Sequence, residues 1–113
     1  MRIYIDHFST VSLPVLMFLA EHDLKAEVIT VSLLKGEQLT PEYAAINPSK
    51  AVPTMQHGEF ILTESSAILK YVAEAVSSAT YPSDMKARAR VNELMDWFNT
   101  GLFREFGYGV VYP

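Results

Sequence analysis

Ala51-Val52-Pro53-Thr54 and Thr63-Glu64-Ser65-Ser66 are the two stretches that decide the fold of this chain. The first is an apolar strand start with a proline set into it, and a proline is tolerated there where the ladder needs no N–H donor. The second carries hydroxyls and a carboxylate, which are typical of the start of a helix. With the short hairpin between them, the two stretches predict the β-β-α half of an α/β fold.

The hairpin and the helix have clear sequence patterns. Residues 52–56 and 59–62 predict two strands joined by a tight turn at His57-Gly58. Apolar residues then recur at helical spacing and predict a helix over residues 64–76.

The N-terminal part of the chain predicts a β-α-β unit. Residues 2–6 alternate apolar and polar side chains and predict a strand, and residues 27–33 predict a second one. The apolar segment 13–21 between them predicts a buried helix, whose start is placed by Pro14 because proline is tolerated only in the first helical turn. The cap of this helix is expected among Ser9, Thr10 and Ser12.

The order β-α-β and then β-β-α predicts a thioredoxin-like α/β domain over residues 1–78, with one helical turn at 42–46 between the halves. Ser83 or Asp84 is then expected to cap a long last helix, the first element of a second, all-α domain over residues 83–113. We expect the aromatic end of this helix to be covered, either by further helices or by another subunit. Its aromatic residues are Phe98, Phe103, Phe106, Tyr108 and Tyr112.

Composition limits the classes of function. The chain has 113 residues, of which 50% are hydrophobic, enough for the core of one domain. It has no apolar run long enough to span a membrane, and its net charge of -4 disfavours nucleic acid as a partner. Without cysteine, any sulfur chemistry needs a thiol that a ligand supplies. This composition predicts a cytoplasmic protein. The histidines lack the spacing of metal ligands, so we expect no bound metal.

Val52-Pro53 is the first candidate binding element. If the peptide bond between them is cis, Val52 turns its N–H and C=O outward to an extended ligand. The alternative is an ordinary trans proline at a strand start, which these residues by themselves favour.

Glu64 and Ser65 are the second candidate element. A helix start has unpaired N–H groups and a partial positive charge, so the Ser65 hydroxyl and N–H can bind a carboxylate. Glu64 can hold an ammonium group, and an α-amino acid carries both charges on one carbon. The alternative is a plain helix start with Thr63 as its cap.

The hydroxyls of Ser9, Thr10 and Ser12 form the third candidate element. A hydroxyl that donates a hydrogen bond to a thiolate stabilises the charged form and lowers the pKa of the thiol, and the helix dipole adds to this. Only the thiolate is a good nucleophile. The alternative is that these hydroxyls only cap the helix.

With these residues the chain resembles the glutathione transferases, closest to the theta class and its bacterial relatives. The resemblance runs from Ile3 to about Trp97 and implies a thioredoxin-like glutathione-binding domain, a helical domain that completes the electrophile pocket, and a homodimer. It rests on Lys35-Gly36-Glu37, Asn47-Pro48, Val52-Pro53, the run from Gly58 to Leu69, Tyr81-Pro82-Ser83-Asp84 and Ala87-Arg88-Ala89-Arg90-Val91.

The resemblance implies roles for particular residues. Glu64 and Ser65 match the pair that binds the γ-glutamyl end of glutathione. Val52 matches the backbone contact before the cis-proline of the family, here Pro53.

The glycine end of glutathione has less usual partners in this chain. Gln38 lies where theta enzymes usually have a histidine, and an amide binds a carboxylate less strongly than a charged donor does. Ala51 lies where a lysine is common, and the neighbouring Lys50 is expected to substitute for it.

The catalytic serine has two possible positions. Family members have Ser, any residue, Pro, Cys or Ser, and Arg at this turn. An ungapped register places Ser9 on the serine, with Val11 and Leu13 in place of the proline and arginine. A three-residue shift makes Ser12 and Pro14 the match instead. Ser9 is preferred because the ungapped register also aligns the second strand.

Two functions follow from the resemblance. The first is a glutathione S-transferase that uses glutathione as co-substrate and adds its thiolate to a small electrophile. The alternative is a non-catalytic binding or interaction module with the same fold. A thioredoxin-type oxidoreductase would need a Cys-x-x-Cys pair, which this sequence lacks.

Overall fold

The computed structural model describes residues 1–111 and contains a four-stranded mixed sheet. Its strands are β1 (Arg2–Ile5), β2 (Glu27–Thr30), β3 (Thr54–His57) and β4 (Phe60–Thr63), in the order β2-β1-β3-β4. β1 is parallel to β2, whereas β3 is antiparallel to both of its neighbours. A β-α-β unit followed by a β-β-α unit predicts this arrangement, and the predicted α/β class is confirmed.

The crossover from β1 to β2 is α1 (Leu13–Glu21), which begins where the sequence predicts. Its proline lies in the first turn and Ser12 is the N-cap residue. The buried residues of α1 are Val15 and Leu19, four positions apart on one face. Met17 is exposed, so the prediction of a buried helix is right for one face and wrong for the other.

A 3-10 helix (Glu37–Leu39) and α2 (Pro41–Ile46) connect β2 to β3. The Thr40 hydroxyl caps α2 by accepting a hydrogen bond from the Tyr43 N–H at 3.3 Å. The single helical turn that the sequence predicts here is thus a six-residue helix that begins one residue earlier.

The hairpin between β3 and β4 turns at Gly58-Glu59, one residue later than the sequence predicts, because His57 still pairs with Phe60. Gly58 has a φ of 64°, in the left-handed region that glycine adopts without strain. After β4 the helix α3 spans Ser65–Ala75.

The last helix begins with a side-chain cap, as predicted. The Asp84 carboxylate accepts a hydrogen bond from the Ala87 N–H at 2.9 Å. The helix runs as α4 (Met85–Trp97) and continues as a π-helix (Phe98–Val111). No residue of α4 is buried. Of the predicted aromatic end, Tyr112 lies outside the described residues, and Phe98, Phe106 and Tyr108 are exposed.

Residues Met1–Leu69 form one compact unit and a second unit begins at Lys70. In the first unit a buried hydrophobic cluster joins β1, the segment after β2, α2 and the segment before β3. It consists of Tyr4, Val31, Tyr43 and Val52, with Ile29, Leu33 and Ile46 packed against it. The tilted rings of Tyr4 and Tyr43, with centroids 5.8 Å apart, form its aromatic part.

Candidate functional site

The candidate residues lie on segments that meet at one edge of the sheet. Ile5 and Thr30, the last residues of the parallel strands β1 and β2, are paired. Thr54, the first residue of β3, pairs with Tyr4 of β1 and with Thr63, the last residue of β4. The segments that leave or enter the sheet at this edge, called the site edge below, carry Ser9, Gln38, Val52 and Glu64.

Ser9 lies in the turn between β1 and α1 and is 6% exposed. Its N–H donates to the Asp6 C=O at 3.0 Å, and its Oγ accepts a hydrogen bond from the Ser12 N–H at 3.2 Å. Within residues 1–111 the hydroxyl proton of Ser9 has no acceptor. The accepted hydrogen bond therefore orients the Ser9 hydroxyl, and its proton remains available for donation.

Ser12 is placed differently, with an exposed fraction of 0%. Its Oγ accepts a long hydrogen bond from the Asp6 N–H at 3.4 Å, and its C=O accepts from the Val15 and Leu16 N–H groups. Ser12 thus begins α1 and faces the end of β1, and it offers a ligand no surface.

A buried carboxylate, which sequence reasoning missed, holds the Ser9 turn. Asp6 Oδ1 accepts a hydrogen bond from the Phe8 N–H at 2.6 Å, and Oδ2 accepts one from the Leu33 N–H at 2.8 Å. These bonds join the turn after β1 to the segment after β2. An acidic residue directly after an apolar strand was the available sequence signal.

The Val52-Pro53 peptide bond is cis. Both residues are buried, and no group in the described part of the chain hydrogen-bonds the Val52 N–H or C=O. The preceding carbonyl, that of Ala51, accepts bonds from the Tyr43 hydroxyl and the Asn47 amide. A carbonyl that accepts two hydrogen bonds is therefore followed by an N–H and a C=O that have no partner in the described chain.

Glu64 immediately precedes α3 and has a φ of 71°. This left-handed conformation is costly for a residue with a side chain. The Glu64 C=O accepts a hydrogen bond from the Ile68 N–H at 3.0 Å, so Glu64 is the cap residue, and the alternative with Thr63 as cap is not observed. Among residues 1–111 the side chains of the exposed Glu64 and the half-buried Ser65 have no hydrogen-bond partner.

Gln38 and Lys50 flank the site edge from the connection between β2 and β3. Gln38 Oε1 is buried without a hydrogen-bond partner. Gln38 as a whole is half-buried, and its amide Nε2 group is a donor of the kind that a ligand carboxylate requires. Lys50 is exposed, with a φ of 56°, and its ammonium group forms no ion pair within the described chain.

In residues 1–111 no three acidic, histidine or cysteine side chains lie close enough together to hold a metal ion. Over the same residues, every helix is too short or too polar to cross a membrane.

Comparison with known proteins identifies relatives. Residues 2–74 match the family model of the glutathione S-transferase N-terminal domain. The chain is 41% identical to mouse (Mus musculus) glutathione S-transferase theta-1 over 106 residues, which are 92% of this chain and 44% of that protein. It therefore spans less than half the length of this curated relative.

Solved structures agree with this relationship and with the thioredoxin-like fold. Human glutathione transferase theta-2, in complex with glutathione and an unknown ligand, is 39% identical with a TM-score of 0.83, covering 87% of this chain and 41% of that one. An epsilon-class glutathione S-transferase from the housefly Musca domestica is 29% identical with a TM-score of 0.90, covering 99% and 52%.

Proposed function

Because this chain belongs to the glutathione S-transferase N-terminal domain family, we propose that it binds glutathione at the site edge. One observation carries the proposal: the four segments at this edge present polar groups without protein partners. They include a backbone N–H and C=O at Val52, a carboxylate and a hydroxyl at Glu64 and Ser65, and a hydroxyl proton at Ser9. A tripeptide with a charged end and a thiol needs these kinds of group.

The γ-glutamyl end of glutathione binds at the start of α3. The Glu64 carboxylate holds the ammonium group, and the Ser65 hydroxyl and N–H hold the α-carboxylate at the positive end of the helix. The cysteinyl backbone pairs with Val52, and Pro53 beyond it has no N–H to compete.

The glycine carboxylate binds at the opposite end of the ligand. The half-buried Gln38 donates to it through its amide Nε2 group. Lys50 adds an exposed positive charge, which salt screens.

Ser9 activates the thiol. Its hydroxyl donates a hydrogen bond to the sulfur, which stabilises the thiolate while the thiol proton passes to water. The sulfur then attacks an electrophilic carbon; the S–C bond forms, and the leaving group departs with the electrons of its bond. The lack of exposed surface on Ser12 supports the choice of Ser9.

The whole-protein properties are part of the same proposal, because the chain spans 44% of the mouse relative. Residues 1–78 are the glutathione-binding domain, and residues 83–113 are the first helix of a helical domain. The whole protein is a cytoplasmic, homodimeric transferase that detoxifies small electrophiles and binds no metal.

A non-catalytic glutathione-transferase-like module is the second candidate. Val11 and Leu13, which stand in place of the proline and arginine of the family's serine turn, favour it. It predicts glutathione binding without a lowered thiol pKa, or assembly without glutathione binding.

Titration calorimetry separates these candidates. Glutathione and S-methylglutathione are titrated into the chain, and the thiolate is followed by its ultraviolet absorbance. The proposal predicts that both ligands bind and that the pKa of the bound thiol is lowered. Ser9→Ala should keep S-methylglutathione affinity and raise the pKa of the bound thiol by about one unit.

Ser12→Ala is the matched control. It removes a hydroxyl group from the same turn, and Ser12 has no exposed surface through which to contact a ligand. It should leave the pKa of the bound thiol as in the unsubstituted chain. A pKa that rises in Ser12→Ala and stays low in Ser9→Ala would assign the role to Ser12. Binding without any lowered pKa would favour the non-catalytic module.

A further inference from the structure

Three buried side chains converge on one backbone carbonyl beside the site edge. Tyr43, Asn47 and Thr54 are 4%, 2% and 0% exposed. The Tyr43 hydroxyl donates to the Ala51 C=O at 2.5 Å, and Asn47 Nδ2 donates to the same oxygen at 3.0 Å. Thr54 Oγ1 lies 2.7 Å from the Tyr43 hydroxyl and 3.0 Å from Asn47 Nδ2.

Thr54 Oγ1 also lies 3.3 Å from the Ala51 oxygen. The shorter contacts define an arrangement of protons that satisfies the polar groups of Tyr43, Asn47, Thr54 and the Ala51 carbonyl. Asn47 Nδ2 gives one proton to the Ala51 C=O and the other to Thr54 Oγ1. Thr54 gives its hydroxyl proton to the Tyr43 oxygen, and Tyr43 gives its own to the Ala51 C=O. Both lone pairs of the Ala51 carbonyl are then occupied, and no donor is left over.

Two observations support this assignment. Asn47 Oδ1 accepts a hydrogen bond from the Ser49 N–H at 2.9 Å, so the amide is oriented with Nδ2 towards Ala51 and Thr54. Burial raises the pKa of Tyr43, against the opposing effect of its bonds to Thr54 and Asn47, so the phenol keeps its proton at neutral pH.

The direction of the Ala51 carbonyl determines the direction of the next N–H. The Ala51-Val52 peptide is planar and trans, so its C=O and N–H point to opposite sides. The C=O points into the buried cluster, and the N–H of Val52 therefore points away from it. In the described residues that N–H has no acceptor.

We propose that Tyr43, Asn47 and Thr54 are positioning residues that aim the Val52 N–H at the cysteinyl carbonyl of glutathione. This inference rests on the proposed function of the site edge. None of the three side chains touches the ligand; they act through the peptide plane. A donor that is already oriented binds without the ordering cost that a mobile turn would carry.

Tyr43→Phe tests the proposal, and Tyr4→Phe is its matched control. Tyr4 is buried beside Tyr43 in the hydrophobic cluster but is not part of the hydrogen-bonded group around Ala51. Its hydroxyl donates to Gln56 Oε1 at 3.2 Å instead. Each substitution removes one hydroxyl and keeps the ring. Titration with S-methylglutathione measures binding without any contribution from a thiolate.

We expect Tyr43→Phe to bind S-methylglutathione about fivefold to tenfold more weakly, the effect of losing one well-oriented hydrogen bond. Tyr4→Phe should stay within about twofold of the unsubstituted chain. Thr54→Val, which removes a second hydroxyl of the cluster at nearly constant volume, should weaken binding in the same direction.

The amide resonance of Val52 gives a readout that a general loss of stability would not change. In the unsubstituted chain it should shift when S-methylglutathione is added, and the shift should be smaller in Tyr43→Phe than in Tyr4→Phe. Equal affinities and equal Val52 shifts in both variants would overturn the positioning role alone. No binding by the unsubstituted chain would overturn the proposed function, and the positioning role with it.

Discussion

Two regions border the site edge: the turn from Asn47 to Thr54 and the start of α3. They differ in whether their polar side chains are hydrogen-bonded within the chain. In the turn the side chains of Asn47 and Thr54 are buried, and their donors and acceptors are paired within the chain. At the helix start, Glu64 is exposed, has a φ of 71°, and its carboxylate has no partner in residues 1–111. The paired side chains of the turn thus hold its backbone in place, and the unpaired side chains at the helix start are available to bind a ligand.

The two regions should therefore respond differently to substitution. A buried polar group stabilises the fold only while its partners are present, and removing one partner leaves the others unsatisfied. A residue in a left-handed conformation destabilises the fold, and such strain is retained where function requires it. Changes to the paired side chains of the turn should lower stability and also weaken binding through the Val52 N–H. Changes at the helix start should weaken binding without lowering stability.

The largest effect is expected for Asn47→Ala. It leaves the Ser49 N–H, the Ala51 C=O and Thr54 Oγ1 each short of one hydrogen bond. The free energy of unfolding should fall by about 2–4 kcal/mol, measured by chemical denaturation. Asn99→Ala is the control, because Asn99 is exposed on a helix and its loss should change stability by about 0.5 kcal/mol or less. Equal losses in the two variants would contradict the closed network.

Glu64→Gly should separate stability from binding. Glycine accepts the φ of 71° without strain, so the free energy of unfolding should rise by about 0.5–1 kcal/mol. Without the carboxylate, affinity for glutathione should fall about tenfold. Asp23→Gly is the matched control: Asp23 is exposed with a φ of 49°, so this variant should gain stability and keep its affinity. A Glu64→Gly chain that binds as well as the unsubstituted one would remove Glu64 from the site.

The smallest effect concerns the pH dependence of stability. Burial raises the pKa of Tyr43 above its ordinary value of 10.0, so the folded state holds the neutral phenol while the unfolded state ionises near that value. The corresponding stability is present below pH 10.0 and is lost as the pH rises towards the folded-state pKa. Chemical denaturation at neutral and alkaline pH should show that the free energy of unfolding falls less in Tyr43→Phe than in the unsubstituted chain. Parallel losses in both chains would show that Tyr43 does not contribute to this dependence.

Local patterns predicted the order and type of the strands and of α1 to α3. The bounds of α1 are as predicted, and those of the other elements are up to three residues off. Pro14 placed the start of α1, and Asp84 was one of two predicted caps for the last helix. The hairpin turn was one residue off, because Gly58 suits either register and cross-strand pairing of His57 with Phe60 decides between them. The exposed face of α1 was missed, because apolar residues such as Met17 occur on both of its faces.

The candidate site was predicted by residue type and resemblance, but its supports were not. Ser9, Val52 and Glu64 were proposed from the sequence, and the structure puts their segments at one edge. Asp6 and Tyr43 were missed, since their partners are not neighbours in the chain: Asp6 reaches Leu33, 27 residues away, and Tyr43 reaches Ala51, 8 residues away. The ligand-binding roles of all these residues stay predictions, including those of Ser65, Gln38 and Lys50.

The sequence by itself determined the element order, the start of α1, the lack of a thiol in the chain, and the family, because these depend on local propensity, composition and motif spacing. Only the tertiary structure decided which polar groups are paired and which are open. Ser9 and Ser12 are both serines before one helix, yet Ser12 is fully buried and Ser9 keeps an unused hydroxyl proton. The physical reason is that a hydrogen bond is made between groups that meet in space, and four strand ends must come together before these groups can meet.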